Sequence, residues 1–231
     1  MDVLYILGRG SKHNDMELRL SLRCLERNAI GVDRVFIVGN KPEWVQNVNH
    51  IPAEDTYTAE NNAFQKVLKA CKNGISEDFV LMNDDFFLLR RTILEDYLPF
   101  IRGFLNKKNA ENHYDRTLNQ TKCVLDGYCK NPFNFDVHCP MVFNKHRVLL
   151  LEGIAEYFKK QETGVLLRSL YGNIFNLASD FETRLFVEDP KIHTDTWEDP
   201  NKTGCISTSD DCDNILKRIE QMYPDKSRWE K

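Results

Sequence analysis

The sequence predicts an α/β protein with a single domain over residues 1–231 and a mostly parallel central sheet flanked by helices. Apolar runs at 3–7 and 34–38 have the length and composition of buried strands. The segment between them carries leucines at helical spacing. A helix that joins two apolar strands is a βαβ unit, and the strands of such a unit pair in parallel. The chain is long enough for one substantial core, and no linker or internal repeat divides it.

The composition is that of a folded protein without a global attraction to nucleic acid. Hydrophobic residues make up 42% of the chain, and the formal net charge is −4. No apolar run approaches the roughly 20 residues of a membrane span, and the N-terminus lacks the basic start of a signal peptide. The seven cysteines include no Cys-x-x-Cys pair, and their spacing fits none of the usual zinc patterns. We therefore expect a cytoplasmic protein with reduced thiols.

The first strand ends in a glycine-containing turn that is a candidate nucleotide site. Leu7 is followed by Gly8, Arg9, Gly10 and Ser11. Glycines let backbone N–H groups approach a phosphate closely, and Arg9 adds positive charge. The spacing matches neither a Walker loop nor a dinucleotide fingerprint. The alternative is an ordinary turn that binds nothing.

The helix after this turn carries arginines at four-residue spacing. It is predicted to begin near Asn14 and to stop at Gly31. Arg19 and Arg23 lie on the part of the helix beside the end of the first strand, where they could reach a nucleotide phosphate. The alternative is a row of arginines that faces solvent.

A short strand at 48–51 and a second helix follow. The helix is predicted to begin at Thr58, to bury one apolar face and to end at Gly74. Asn61 lies in its first turn, near the same edge of the sheet as the glycine turn. We therefore count Asn61 among the candidate substrate-binding residues.

The strongest functional signal is a pair of carboxylates after the predicted strand 79–82. Asp84 and Asp85 lie at its carboxyl end, where ligands of α/β sheets bind. Adjacent carboxylates repel each other, and a divalent cation relieves that repulsion. One or two carboxylates together with substrate phosphates are the usual ligands of Mg²⁺ or Mn²⁺. The pair is a candidate metal site, and the alternative is a turn without a ligand.

The middle of the chain contains a predicted helix, a predicted loop and a constrained histidine. Residues 92–105 have helical character, although Pro99 interrupts them. Residues 106–122 are polar and aperiodic, which predicts a mobile loop. His138 lies between prolines and near aromatic residues. From the residues alone, such a histidine is more often a packed structural group than a catalyst.

The last third is predicted to contain helices at 146–159 and 163–177, a short strand at 205–208 and a final helix that Pro224 ends. Arg168 lies on a face of its helix away from the buried stripe.

Several segments, in one order along the chain, together resemble the Stealth proteins. These are sugar-1-phosphate transferases of capsule synthesis, related to the lysosomal-enzyme N-acetylglucosamine-1-phosphotransferase. The similar segments are 17–23, 35–38, 42–44, 61–63 and 82–87, then 138–140 with Phe143 and Lys145, then 167–169 with 223–227 and Glu230. The start of the chain departs from the family, since residues 2–10 lack its tryptophan and its second aspartate.

The resemblance implies a GT-A-like glycosyltransferase domain that binds a nucleotide-sugar and a divalent cation, Mn²⁺ or Mg²⁺. It implies His138 as the catalytic base, Asp84 as part of the catalytic metal site and Arg168 as a phosphate clamp. Lys145 joins the substrate-binding candidates. The expected partners are a nucleotide-diphospho-sugar donor and a carbohydrate or another hydroxyl-bearing acceptor.

Two alternatives remain open at this stage. One is a glycosyltransferase of phage type that acts on a hydroxymethylated DNA base. It needs a local basic surface, for which the sequence offers Lys107, Lys108, Arg116 and Lys122. The other is a non-catalytic nucleotide-sugar-binding module.

Overall fold

The structure is a computed structural model that describes residues 1–8, 11–178, 183–200 and 202–231. Within these residues the chain forms ten strands and seven α-helices. The strands are β1 (Asp2–Leu7), β2 (Ala29–Ile30), β3 (Val35–Gly39), β4 (Asn49–Ile51), β5 (Asp78–Met82), β6 (Phe86–Leu88), β7 (Thr92–Ile93), β8 (Met141–Asn144), β9 (Lys191–Ile192) and β10 (Cys205–Thr208). The helices are α1 (Met16–Asn28), α2 (Ala59–Lys72), α3 (His113–Leu125), α4 (Lys145–Leu150), α5 (Glu152–Phe158), α6 (Leu167–Ile174) and α7 (Asp213–Met222).

The central sheet has the strand order β4-β3-β1-β5-β8. β1 pairs in parallel with β3 on one side and with β5 on the other, so that Val3 lies beside both Val35 and Val80. β4 is also parallel to its neighbour, and β8 is antiparallel to β5. The prediction of an α/β fold with a mostly parallel sheet flanked by helices is confirmed.

Side chains alternate across β1 and divide the core between the two faces of the sheet. Val3, Tyr5 and Leu7 pack on the side of α1, whereas Leu4 packs with Phe64 of α2 on the other side. Helices α3 to α6 contribute to the core on the α2 side. This two-sided burial is why the strands read as continuous apolar runs in the sequence.

Helix α1 is buried on two faces. Beyond it lies a smaller sheet with the order β6-β10-β9, together with α7. Leu20 and Cys24 of α1 pack against this layer, among them Phe87, Ile206 and Ile219. A helix held between two layers leaves little of its surface in water.

The topology places the carboxyl ends of β1 and β5 at the point where the strand order reverses. From β1 the chain first continues to β3 on one side, and it later returns to β5 on the other. Because β8 is antiparallel, its first residue Met141 pairs with Leu81 near the end of β5. Residues shortly before Met141, including His138, therefore reach the same edge of the sheet. Ligands of open α/β sheets bind at such a reversal point.

Two predictions about secondary structure are wrong. Residues 92–105 form the short strand β7 and one 3₁₀ turn at Leu94–Asp96 rather than a helix. Tyr97 and Phe100 are buried there although the chain is irregular. The spacing of such buried apolar residues resembled that of a helix.

The predicted loop 106–122 contains most of helix α3. Asn112 caps this helix by accepting a hydrogen bond from the backbone N–H of Asp115 at 2.9 Å. Its buried face includes Thr117 and Thr121. Threonines do not contribute to a hydropathy pattern, which is why the periodicity was invisible.

In the described part of the chain, no helix is both long enough and apolar enough to cross a membrane. The cysteines are free thiols, and five of them are buried. Burial raises the pKa of both Cys71 and Cys139 to about 12.

Candidate active site

A cleft of about 330 Å³ lies at the carboxyl edge of the sheet. The ends of β1, β5 and β10, the start of α1 and the loop before β8 form its walls. Six of the predicted site residues line it, namely Leu7, Gly8, Ser11, Asp84, Asp85 and His138. Residues from distant parts of the sequence thus meet where the topology directs ligands.

Asp84 and Asp85 occupy a turn between β5 and β6 and are both half-buried. Burial raises the pKa of Asp84 to about 7, and the negative charges of Asp85 and Glu17 contribute in the same direction. Asp85 is better compensated, because its Oδ2 accepts a hydrogen bond from Ser207 Oγ at 2.5 Å. Lys191 Nζ lies 3.8 Å from the same oxygen. Asp84 is therefore the less compensated carboxylate of the pair, and a nearby cation would stabilise its charged form.

The donor set suits a hard divalent cation that is completed by other oxygens. No three His, Cys, Asp or Glu side chains of the described residues are arranged to enclose a metal ion. Asp84 and Asp85 could supply one or two carboxylate oxygens. That is the number Mg²⁺ or Mn²⁺ takes from a protein when substrate phosphates and water supply the rest. The residues fit an ion that binds together with a phosphorylated ligand.

His138 is held from both its backbone and its side chain by Asp189. The backbone N–H of His138 donates to Asp189 Oδ1 at 3.1 Å, and Nδ1 lies 2.9 Å from Oδ2. Burial pushes the pKa of Asp189 up, but the hydrogen bonds and charge of His138 and the charge of Arg102 outweigh it and leave that pKa below its ordinary value. Asp189 is not among the residues that line the cleft. Since Nδ1 is engaged by Asp189 and His138 itself lines the cleft, Nε2 is the ring nitrogen left for a ligand there.

Arg168 lies behind His138 instead of in the cleft. Its Nη1 donates to the backbone carbonyls of Val137 and Cys139, the two neighbours of His138. Its guanidinium also stacks over Phe86, with Cζ 5.2 Å from the ring centroid. With only 8% of its surface exposed, Arg168 supports the loop, and the structure does not bring it to the predicted phosphate position.

Arg19 and Arg23 are directed away from the cleft. Arg23 donates from Nε and Nη2 to the two carboxylate oxygens of Glu230, at 2.9 Å and 3.0 Å. Arg19 Nη1 donates to the same carboxylate at 3.0 Å, and its guanidinium stacks on Trp44. The two arginines thus anchor the end of the chain to α1, and they do not line the cleft.

Asn61 and Lys145 also lie outside the cleft. Asn61 is buried, and its Nδ2 donates to the carbonyl of Phe158 at 2.9 Å, which links α2 to the end of α5. Lys145 follows Asn144, which pairs with Asp78 at the start of β5. It therefore lies at the opposite edge of the sheet, near Glu77.

The glycine turn is described only in part. Arg9 and Gly10 lie outside the described residues. Ser11 closes the turn onto α1, because its Oγ accepts from the backbone N–H of Asp15 at 2.9 Å and donates to Glu17 at 2.8 Å. On the far side of Gly8, Lys66 donates to the carbonyl of Leu7 at 2.6 Å and fixes the end of β1.

Sequence reasoning missed Asp189 and Lys191. They flank Pro190 in a charged segment without periodicity, which gave no signal of its own. Lys191 opens β9, which pairs in parallel with β10 and brings the lysine to the cleft. Only the tertiary arrangement joins these residues to Asp85 and His138.

Solved glycosyltransferases have similar structures. The galactosyltransferase LgtC, in complex with donor and acceptor sugar analogues, is 9% identical and superposes with a TM-score of 0.51 over 97% of this chain and 95% of LgtC. An active-site mutant of LgtC gives a TM-score of 0.44 at 9% identity over 76% and 70% of the two chains. Mouse xyloside xylosyltransferase 1 without ligand gives 0.37 at 12% identity over 77% and 82%.

The first of these similarities shows the fold, which is that of the GT-A glycosyltransferases. At such low identity the similarity says nothing about the reaction. The chain matches no sequence profile of a known family and no curated protein. Membership of the Stealth family therefore stays a prediction that rests on the motifs.

Proposed function

We propose that this protein is a metal-dependent transferase that uses a nucleotide-diphospho-sugar donor and an acceptor hydroxyl. The observation that carries the proposal is the meeting of Asp84, Asp85 and His138 in one cleft at the reversal point of the sheet. The carboxylate pair can supply a cation site, and the histidine can supply a general base. Such a transfer needs both functions.

The donor would lie across the ends of β1 and β5. Its base and ribose are assigned to the region of Leu7, Gly8 and Ser11, which line the cleft at the end of β1. Its diphosphate is assigned to the side of Asp84 and Lys191. Lys191 takes the role first expected of the arginines, because it lines the cleft and they do not.

Asp84 and Asp85 would hold Mn²⁺ or Mg²⁺ against the diphosphate. When bound, such an ion neutralises negative charge on the phosphate oxygens. The residues of the chain then orient the donor and hold its leaving group next to Lys191, whose ammonium stabilises the charge that develops there.

His138 is assigned as the general base. Nε2 takes the proton of the acceptor hydroxyl while the acceptor oxygen forms its new bond. If that oxygen attacks phosphorus, the bond between the two phosphates breaks and nucleoside monophosphate leaves. If it attacks the anomeric carbon, the bond from carbon to the phosphate oxygen breaks and nucleoside diphosphate leaves. In both cases the electron pair of the broken bond stays on the departing phosphate.

The resemblance to the Stealth proteins favours transfer of a sugar-1-phosphate. The geometry of the cleft is compatible with both outcomes, because the same base and the same cation site serve each.

The test is calorimetric titration with a panel of nucleotide-diphospho-sugars, with and without Mn²⁺, followed by chromatography of the released nucleotide. Binding that requires the cation, with release of a nucleotide on addition of acceptor sugars, supports the proposal. Nucleoside monophosphate identifies phosphotransfer, and nucleoside diphosphate identifies glycosyl transfer. Tight binding with no release across the panel would favour a non-catalytic binding module.

A further inference from the structure

His138 is part of a chain of three charged or titratable groups that continues behind the cleft. Arg102 Nη1 lies 2.8 Å from Asp189 Oδ2, and the same carboxylate contacts His138 Nδ1 at 2.9 Å. Asp189 is 14% exposed, whereas 37% of the Arg102 side chain is in contact with water. The cleft, the imidazole, the carboxylate and the guanidinium therefore follow one another from the site towards the surface.

From this geometry we propose that Asp189 and Arg102 are positioning residues that fix the tautomer and the charge of His138. The proposal rests on the function assigned above, in which Nε2 is the base. Asp189 would hold the proton on Nδ1, and Arg102 would offset the charge of Asp189.

The assignment of the tautomer follows from the donors and acceptors present. An ionised carboxylate can only accept hydrogen bonds, and Asp189 already accepts one from the backbone N–H of His138. Nδ1 must then be the donor in its contact with Asp189. A neutral imidazole with its proton on Nδ1 carries its lone pair on Nε2. Nε2 is therefore the nitrogen left for an acceptor hydroxyl in the cleft that His138 lines.

The charge of Arg102 counteracts an effect that the charge of Asp189 alone would have on the imidazole. A bare carboxylate beside an imidazole stabilises the imidazolium, and a protonated histidine cannot act as a base. The guanidinium of Arg102 stabilises the carboxylate and weakens its pull on the second proton. The pair thus orients His138, while the charge of Arg102 offsets the charge of Asp189.

Other charged groups lie near His138 or share its cleft, and the substitutions used as a test have to leave them unchanged. Asp136 lies on the same loop, and Arg168 of α6 is bonded to the carbonyls on either side of the histidine. The charged groups that share the cleft with His138 are Lys12, Asp15, Glu17, Asp84, Asp85, Lys191 and Asp210. Substitution of Arg102 or Asp189 leaves every one of these in place.

The experiment is nitrogen-15 NMR of the imidazole of His138 across pH, in the full-length protein without donor or acceptor. In the wild type, the spectrum above the titration midpoint should show an unprotonated Nε2. Arg102→Met should raise the midpoint by roughly one unit, because the Asp189 charge is no longer offset. Asp189→Asn should lower it. Arg102→Lys keeps a positive charge at this position, so its midpoint should stay close to that of the wild type.

Arg34→Met is the matched control. Arg34 also pairs with a carboxylate, that of Asp2, but at the opposite edge of the sheet. Its loss should leave the His138 midpoint unchanged, whatever it does to the melting temperature. A proton on Nε2 in the wild type, or an unchanged or lowered midpoint in Arg102→Met, would overturn the proposal.

Activity gives a second readout that separates this proposal from the proposed function. In Arg102→Met, the acidic limb of the kcat profile should move to higher pH together with the NMR midpoint, with KM for the donor unchanged. If the NMR results are as expected but no nucleotide-sugar is turned over, the proposed function fails and the assigned tautomer stands. If turnover occurs but the midpoint does not respond to Arg102, the positioning proposal alone fails.

Discussion

Arg23 holds both carboxylate oxygens of Glu230, with one hydrogen bond of 2.9 Å from Nε and another of 3.0 Å from Nη2. The Glu230 side chain is fully buried, and Arg19 and the backbone N–H of Ser227 also donate to it. An arginine row that looked like a phosphate site in the sequence is thus a clasp between α1 and the last residues of the chain.

The clasp predicts a large loss of stability in Glu230→Gln. Removing one partner of a buried ion pair leaves the other charge uncompensated, which costs about 3–5 kcal/mol. Burial pushes the pKa of Glu230 up, but the bonds to Arg23 and Ser227 hold it below its ordinary value of 4.5. The stabilisation is therefore complete above pH 4.5 and disappears as the pH falls through the lowered pKa. Thermal melts from pH 7 to pH 3 should show the difference between variant and wild type shrinking on the acidic side. A difference that stays constant would contradict the clasp.

At Gly172 of α6, the chain that precedes His138 leaves no room for a side chain. A Cβ at this position would lie 2.4 Å from Cδ2 of Phe135, three residues before His138. Gly172→Ala should therefore displace Phe135, lower the melting temperature by several degrees and reduce turnover.

Gly153 is the matched control because it also lies in a helix, and an added Cβ there would meet nothing within 4 Å. Gly153→Ala should leave turnover unchanged and melt at the same or a higher temperature. Equal effects of the two substitutions would mean that the contact with Phe135 is unimportant.

Substitution of Lys191 should lower the affinity of the protein for the donor. If its ammonium contacts the diphosphate, Lys191→Met should weaken donor binding about tenfold or more, as expected for a charged hydrogen bond. Lys145→Met is the comparison, since Lys145 lies at the opposite edge of the sheet and should have no effect on affinity. Calorimetric titration of both variants with the same nucleotide-sugar decides between the two lysines. Weakened binding only in Lys145→Met would return the phosphate role to that residue.

Substitution of Asp84 should remove the response of donor binding to the metal ion without destabilising the protein. Asp84→Asn should abolish the effect of Mn²⁺ on donor binding, because a carboxamide is a far weaker ligand of a hard cation. In metal-free protein the same substitution should leave the melting temperature equal or higher, since burial and neighbouring charges disfavour the Asp84 carboxylate. Asp78→Asn, at the other end of β5, should retain the response to Mn²⁺. Full turnover of the wild type in excess chelator would exclude the assigned cation.

The sequence predicted the fold well because strands buried on both faces leave a strong signal. The runs that became β1, β3 and β5 and the leucines of α1 needed no tertiary information. The same holds for Asp84 and Asp85, since a turn after a parallel strand lies at the ligand-binding edge. Helix α3 was missed because threonines make up part of its buried face.

The less predictable parts of the site are those that depend on pairing across the fold. Arg19 and Arg23 had the right charge and a suitable helix, but Glu230 binds them from the far end of the chain. Arg168 was expected on phosphate, and it bonds to backbone carbonyls instead. Asp189 gave no signal, because its importance comes only from its contacts with His138 and Arg102.

The most direct test of the account is the turnover of His138→Ala, measured with donor affinity and melting temperature on the same preparation. Asp189 and Arg168 fix the loop around His138, so removal of the imidazole should leave the fold and the donor site intact. We expect turnover to fall by roughly 10²–10⁴-fold, the usual contribution of a positioned base, while donor affinity and melting temperature stay close to those of the wild type. Turnover that survives the substitution, or that falls only in step with donor affinity and melting temperature, would contradict the assignment of His138 as the base.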